Sequence, residues 1–410
     1  MSVASEIAET LARHLGGELP VHLTAWDGSS AGPADAPRVV LYSPDAVRRI
    51  LWHPGELGAA QAYVTGELDV RDDLDIALTH VWDWARTRQL PGRRVTPRLL
   101  LDVARLAWRL DVLGLPTPAP ASQAKVRGRL HSMTRDRAAI SHHYDLSNDF
   151  YELILDSHMA YSSAYWTSTD PGYTLDDAQA DKLDLVCRKV GLDRRPGMRL
   201  LDIGCGWGSL SLRAAEQFGA QVVGVTISAE QKAFIDARVA ERGLTDQVEI
   251  RVQDYRAIPD GPFDAVASVE MGEHVGQRNY PVYAQTLHDK VAPGGLVCIQ
   301  QMSRPAGNHP GGGPFIESFI APDMYMRPLG QTVEMLEDAG LEVRDTEAMR
   351  EHYVRTVDVW YETFEKNWAQ VVDLVGDEVA RVWRLYLVGG RMAFRDGRMG
   401  VDQITARRPG

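Results

Sequence analysis

Cysteine is scarce in this chain: three among 410 residues, Cys187, Cys205 and Cys298. They have no metal-type spacing, so no metal site is expected from them, and an odd, sparse set suits a reducing cytoplasm. Long hydrophobic runs are also lacking. The most apolar stretch, residues 99–115, is broken by Asp102, Arg105, Arg109 and Asp111, so it cannot span a bilayer. It reads either as an amphipathic helix lying flat on a surface or as a helix packed on the protein. Residues 1–15 carry Glu6, Glu9 and Arg13 among their apolar positions, unlike a secretory leader. There are no internal repeats. Positive charge is in deficit, with a net charge of −12, so nucleic acid is not an expected partner. The remainder, 44% hydrophobic and 24% charged, is ordinary for a soluble globular protein long enough for two or three domains.

The charge is uneven. Between Arg93 and Arg137 stand ten basic residues, Arg98, Arg105, Arg109 and Lys125 among them, against three acids. A cationic island on an anionic protein fits an anionic surface such as a layer of phospholipid headgroups. It also fits a solvated basic helix face.

Three regions separate along the chain. Residues 1–113 predict a smaller N-terminal α+β domain, with strands at 21–26, 38–42 and 66–70, helices at 43–51 and 74–88, and no catalytic motif. Residues 114–137 read as a Pro-rich and basic linker, stiffened by Pro116, Pro118 and Pro120. Residues 138–410 alternate regularly. Strands at 199–204, 221–226, 248–254, 263–270, 296–302 and 341–347 are separated by helices at 209–218, 229–242, 280–291 and 331–339. That order predicts an α/β fold, a doubly wound Rossmann-like sheet with its ligand at the carboxyl ends of the strands. Residues 399–407 read as an added edge strand. Residues 315–326, after a glycine-rich loop, read as a mobile lid or as a surface insertion.

The most informative stretch is residues 199–212, RLLDIGCGWGSLSL. An apolar run, the acid Asp202, then Gly204, Gly206 and Gly208 lead into a helical pattern. Such a strand–glycine–helix turn lets a ligand approach the backbone closely and aims amide N–H groups at it. A dinucleotide site also wants an acid at the end of the second strand, but that strand ends in Thr226, and the glycines run G-x-G-x-G. The pattern points instead to S-adenosylmethionine, whose enzymes supply contacts from the carboxyl ends of the first four strands. The candidates are Asp202, Gly204 and Gly206, then Thr226 and Gln231, then Gln253 and Asp254, then Glu270.

The motifs HHYDLSNDFYELIL (142–155), MAYSSAYW (159–166), LDIGCGWGSL (201–210), VGVTISAEQ (223–231), QDY (253–255) and EHVG (273–276) resemble the cyclopropane fatty acid synthases. Mycolic acid and tuberculostearic-type methyltransferases share the pattern, which runs through roughly residues 138–395. The run PGELGAAQAYVTGELDV at 54–70 also looks like the lipid-side domain of bacterial members. The resemblance implies a class I methyltransferase acting on a cis double bond of a phospholipid acyl chain. By the same resemblance, Tyr161 and Ser162 cover the methionine end of the cofactor, Gly204 and Gly206 lie under it, Thr226 and Gln231 sit near the ribose, and Gln253 and Asp254 flank the adenine.

An alkene is a poor nucleophile and the sulfonium methyl a strong electrophile, so the protein has mainly to align the two and exclude water. Attack makes a carbocation, which aromatic faces and carboxylates can stabilise; Tyr161, Tyr165, Trp166, Glu273 and Tyr353 are candidates. Proton loss from the added methyl closes a cyclopropane, whereas a hydride shift first gives a methylene branch. The resemblance implies a bound bicarbonate as base, held at the positions of Ser163, Glu273, Gln300 and Tyr353. Ser163 and Gln300 replace the cysteine and histidine of the family pattern; they can hydrogen-bond an anion but cannot act as thiol or imidazole. His274 and His143 are further titratable candidates, and His142 reads as a helix cap. Peripheral attachment at the inner face of the cytoplasmic membrane is the expected location. The sequence leaves open a homodimer, a reductase partner, and a small-molecule natural product as the alternative substrate.

Overall fold

The computed structural model describes residues 2–90, 96–124 and 147–410. His142, His143, the second half of the linker and seven of the ten basic residues between Arg93 and Arg137 lie outside the described residues. The chain packs as two units, Met1–Gln123 with Val375–Val388, and Ala124–Leu374 with Gly389–Gly410. Residues 375–388, grouped by sequence with the C-terminal part, therefore pack with the N-terminal residues instead. Arg381 explains the affiliation: it pairs with Asp69 at 3.3 Å and lies over the Tyr63 ring.

The first unit holds a four-stranded sheet of β1 (His22–Thr24), β2 (Ser30–Ala31), β3 (Arg38–Leu41) and β4 (Leu68–Val70), in the order β2-β1-β3-β4. Ile7, Leu23, Leu41, Ala46, Ala62 and Leu106 form its core. The helix Pro97–Arg109 starts at Thr96, whose side chain accepts from Leu99 N–H, the N-cap arrangement that satisfies an otherwise orphaned donor. Sequence left two fates open for this stretch, and it shows features of both. Leu106 and Ala107 are buried, while Leu100 and Leu101 (58% exposed) and Trp108 (74%) face outward.

The second unit holds a seven-stranded sheet: β5 (Arg199–Ile203), β6 (Gln221–Thr226), β7 (Val248–Val252), β8 (Phe263–Val269), β9 (Val291–Ser303), β10 (Glu342–Ala348) and β11 (Gly400–Arg407). Their order is β10-β11-β9-β8-β5-β6-β7. β7, β6, β5, β8 and β9 run parallel. In the centre, Leu200 belongs to one apolar cluster and Leu201 to another, the period-two alternation of a strand covered on both faces.

Two expectations are corrected. The segment at 399–407 is not an edge strand. β11 lies between β9 and β10, antiparallel to both, and its residues 401–406 are buried. Two of its buried polar side chains find partners there: Asp402 accepts from Ser303 Oγ at 2.6 Å, and Gln403 Nε2 donates to Gln300 Oε1 at 2.9 Å. Nor is 315–326 a surface insertion. Phe315, Phe319, Ile320, Ala321 and Met326 are all buried, and Tyr325 N–H donates to the backbone carbonyl of Glu273 at 2.8 Å.

Candidate active site

A cleft opens at the carboxyl ends of β5, β6, β7 and β8. Its walls include Gly204, Gly206, Thr226, Gln231, Gln253, Asp254, Glu270, Met271 and His274. The glycine turn sets its floor. Gly204 and Gly206 have φ of +77° and +53°, a region that other residues enter only with strain. A Cβ on Gly204 would come within 2.9 Å of Met271 Cγ, whereas one on Gly206 would meet no protein atom within 4 Å. Gly206 thus faces the open cleft.

Of the nine expected cofactor residues, Gly204, Gly206, Thr226, Gln231, Gln253 and Asp254 line this cleft. Thr226 Oγ1 donates to Gln231 Oε1 at 2.6 Å. Gln253 Nε2 donates to the Ala257 carbonyl at 2.7 Å, while its buried Oε1 accepts no hydrogen bond, a polar atom that a nucleoside could satisfy. The Asp254 carboxylate accepts from Arg256 at 2.6 and 2.8 Å.

The other three are not among the cleft walls. Asp202 is buried beneath the glycine turn, where it accepts from Ser211 Oγ at 2.7 Å; burial pushes its pKa up to about 6. Its hydrogen bond to Ser211 ties the end of β5 to the helix that follows the turn. Ser162 is buried and accepts from Lys182 Nζ at 2.7 Å. Tyr161 lies in an aromatic cluster, 5.6 Å from Tyr151 and 5.4 Å from Trp360 between ring centroids. Two of the proposed cation stabilisers are tied elsewhere. Tyr165 donates to Glu347 at 2.9 Å, and Trp166 is held by His352 and Thr356.

Beyond β8 the chain enters a second cluster, at the inner end of the cleft. Glu270 accepts from Ser163 N–H at 2.7 Å and Gln300 Nε2 at 2.8 Å through one oxygen, and from the Tyr353 hydroxyl at 2.8 Å through the other. Three of the expected catalytic residues therefore do come together, but on Glu270. The fourth, Glu273, is buried beside them, and no side chain donates to either of its oxygens, which have the backbone amides of Glu273 and Met302 nearby. Burial and the neighbouring Glu270 push its pKa up to about 8, so it is largely uncharged at neutral pH. Burial raises Glu270 too, but its three donors and the nearby Lys182 cation act the other way. The net direction for Glu270 is still upward, and its three donors with Lys182 make it the member of the pair whose negative charge has compensating partners. His274 lines the cleft, and its low-dielectric surroundings push its pKa down to about 4, leaving it neutral.

Two residues of this cluster had no part in the sequence expectations. Lys182 is fully buried, and its pKa is lowered to about 8 by burial against the pull of Glu270, Asp156 and Asp202. Its signal was a lysine on the buried stripe Gln179–Lys182–Leu183–Val186 of one helix. Arg327, also fully buried, lies 3.7 Å above the Tyr280 ring and near Glu273; nothing in its local sequence marks it.

A glycine-floored cleft at the strand ends, with polar groups from three successive strands and a buried carboxylate at its inner end, defines a class I S-adenosylmethionine-dependent methyltransferase. The family model described as mycolic acid cyclopropane synthetase matches residues 131–404. A probable fatty acid methyltransferase of Mycobacterium tuberculosis is 35% identical, over 95% of this chain and 91% of that protein. The cyclopropane-fatty-acyl-phospholipid synthase of Escherichia coli K12 is 32% identical, over 93% of this chain and 89% of that protein. Among solved structures, the cyclopropane synthase MmaA2 from M. tuberculosis has a TM-score of 0.63 at 29% identity, covering 68% of this chain and all of that one. The mycolic acid cyclopropane synthase CmaA1 complexed with SAH and CTAB has a TM-score of 0.62 at 31% identity, covering 66% and 98%. The chain belongs to the mycolic acid cyclopropane synthetase family, and S-adenosylmethionine is its cofactor.

Proposed function

We propose that the protein transfers the methyl carbon of S-adenosylmethionine to a cis double bond in an unsaturated phospholipid acyl chain. The chain passes through a carbocation and ends as a cyclopropane or as a methylene branch, which a separate reductase would turn into a methyl branch. When bound, the cofactor supplies an electrophilic methyl group. Gly204 and Gly206 let it approach the backbone, Thr226 and Gln231 offer a hydroxyl and an amide, and Gln253 offers its unpaired oxygen. The protein then aligns the olefin, excludes water and removes one proton.

The observation that carries this reading is the fully buried carboxylate cluster at the inner end of the cleft, with Tyr353 bonded to it. A carbocation formed there would meet negative charge and an aromatic wall in a medium of low dielectric, where both act strongly. The test is incubation of the purified protein with S-adenosylmethionine and vesicles of unsaturated phosphatidylethanolamine. S-adenosylhomocysteine and an acyl chain heavier by one CH2 are expected, and proton NMR separates upfield ring protons from vinylic ones. Equal S-adenosylhomocysteine release with fully saturated lipid would overturn the reading.

Attachment to a lipid surface is supported by the first unit. Leu100, Leu101 and Trp108 are exposed on the helix that also carries Arg98, Arg105 and Arg109, and Leu113 and Leu115 follow them. Apolar side chains beside cations suit a peripheral site at the inner face of the cytoplasmic membrane. No helix among the described residues is long and apolar enough to cross a bilayer. Co-sedimentation with anionic vesicles that weakens as salt rises is the expected behaviour.

A further inference from the structure

Family resemblance implies a bicarbonate ion among Ser163, Glu273, Gln300 and Tyr353, acting as the base that removes the proton. The structure disagrees, because the place where three of these residues converge is taken. Glu270 puts a carboxylate there, accepting from Ser163 N–H, Gln300 Nε2 and the Tyr353 hydroxyl at 2.7–2.8 Å. Bicarbonate and carboxylate present the same planar pair of acceptor oxygens. A second anion would find these donors already engaged and would lie against a negative charge in a buried site, which is strongly unfavourable.

We propose that Glu270 is the built-in base of the reaction, doing within the chain what a bound bicarbonate would otherwise do. The proposal rests on the function given above. In the step, a C–H bond of the acyl carbocation breaks and its electron pair closes the ring C–C bond or forms a C=C bond. The proton passes to a Glu270 oxygen, and nothing is oxidised or reduced. Geometry equips Glu270 for this: it lines the cofactor cleft, three donors fix its carboxylate, and Gln403 holds Gln300 in the orientation that presents Nε2 to it.

The backbone provides an independent sign. Glu270 sits at φ +49°, in the left-handed region, where a residue other than glycine costs about 1 kcal/mol. Strain of this kind persists where the surroundings over-determine it, and it concentrates at functional sites. Glycine would fit this position without penalty, so Glu270→Gly is a variant that should fold.

Wild type, Glu270→Gly and the isosteric Glu270→Gln test the proposal. Saturable binding of 13C-labelled bicarbonate, followed by NMR, is expected for Glu270→Gly and for neither of the others. In CO2-free buffer wild-type turnover should be unchanged. Both variants should lose roughly 10²–10⁴-fold in kcat, the range for removing a general base. Added bicarbonate should restore Glu270→Gly by tenfold or more and leave Glu270→Gln inert, since the amide still fills the place. Saturable bicarbonate binding by wild type, a wild-type requirement for it, or a Glu270→Gln variant within tenfold of wild type would overturn the proposal. If wild type releases no S-adenosylhomocysteine with unsaturated phospholipid, the function reading fails; the NMR comparison still decides whether Glu270 holds the anion place.

Discussion

Replacing Glu273 by glutamine removes one titratable group from a fully buried position without changing its shape. Glu273 titrates near 8 in the folded protein, against an ordinary value of 4.5, because burial and Glu270 disfavour its charge. Between those values the folded chain holds a proton that the unfolded chain has released. This contribution is therefore intact at and below pH 4.5 and is lost as pH rises through 8. At ~1.4 kcal/mol for each tenfold change in proton affinity, wild-type stability should fall by up to ~5 kcal/mol across the window, about 3 of it by pH 7. Glu273→Gln has no such loss. Urea unfolding of both proteins from pH 5 to pH 9 should give nearly equal stabilities at pH 5 and a widening advantage for the variant toward pH 8. A difference that stays constant over the range would refute the assignment of Glu273 as the neutral member of the pair.

Gly206→Val should abolish S-adenosylmethionine binding in calorimetry: its backbone sits at φ +53° and its side chain would enter the cleft. Lys182→Met should destabilise the fold by about 3 kcal/mol at pH 7, where the lysine is still mostly charged, and less at pH 5, where Asp202 takes up a proton and needs the buried cation less; equal losses at both pH values in urea unfolding would contradict this. Gln403→Leu should lower kcat about tenfold with little change in cofactor affinity, because Gln300 loses the partner that orients it toward Glu270; an unchanged kcat would remove Gln403 from a positioning role.

The parallel part of the sheet was legible because each strand is a short apolar run followed by a turn and a helix, and such local signals survive folding. The glycine turn was legible for the same reason: Gly204 and Gly206 are forced by backbone geometry that any reader of sequence can anticipate. β11 was misplaced because strand order is a property of distant pairing; nothing in 400–407 states that Gln403 will lie opposite Gln300. The cofactor residues that fell outside the cleft, Asp202, Ser162 and Tyr161, share a cause. Each is near the turn in sequence or motif, but Asp202 is claimed by Ser211, Ser162 by Lys182, and Tyr161 by neighbouring rings. Glu270 was expected among the cofactor contacts. Its meeting with Ser163, Gln300 and Tyr353 joins residues 30 to 107 positions apart in the chain, and no local pattern encodes that.

The position of β11 has a consequence for biogenesis. As the chain emerges, β9 and β10 are made long before the strand that separates them; β9 waits with one unpaired edge and β10 with no partner strand, a form of surface that invites aggregation. Insertion of Gly400–Arg407 covers β9 and pairs β10 at once, leaving β10 as the sheet edge, and through Gln403 also orients Gln300. Sheet completion and assembly of the proton-accepting cluster are thus one late event, so a chain clipped ahead of Gly400 would lose solubility and catalysis together.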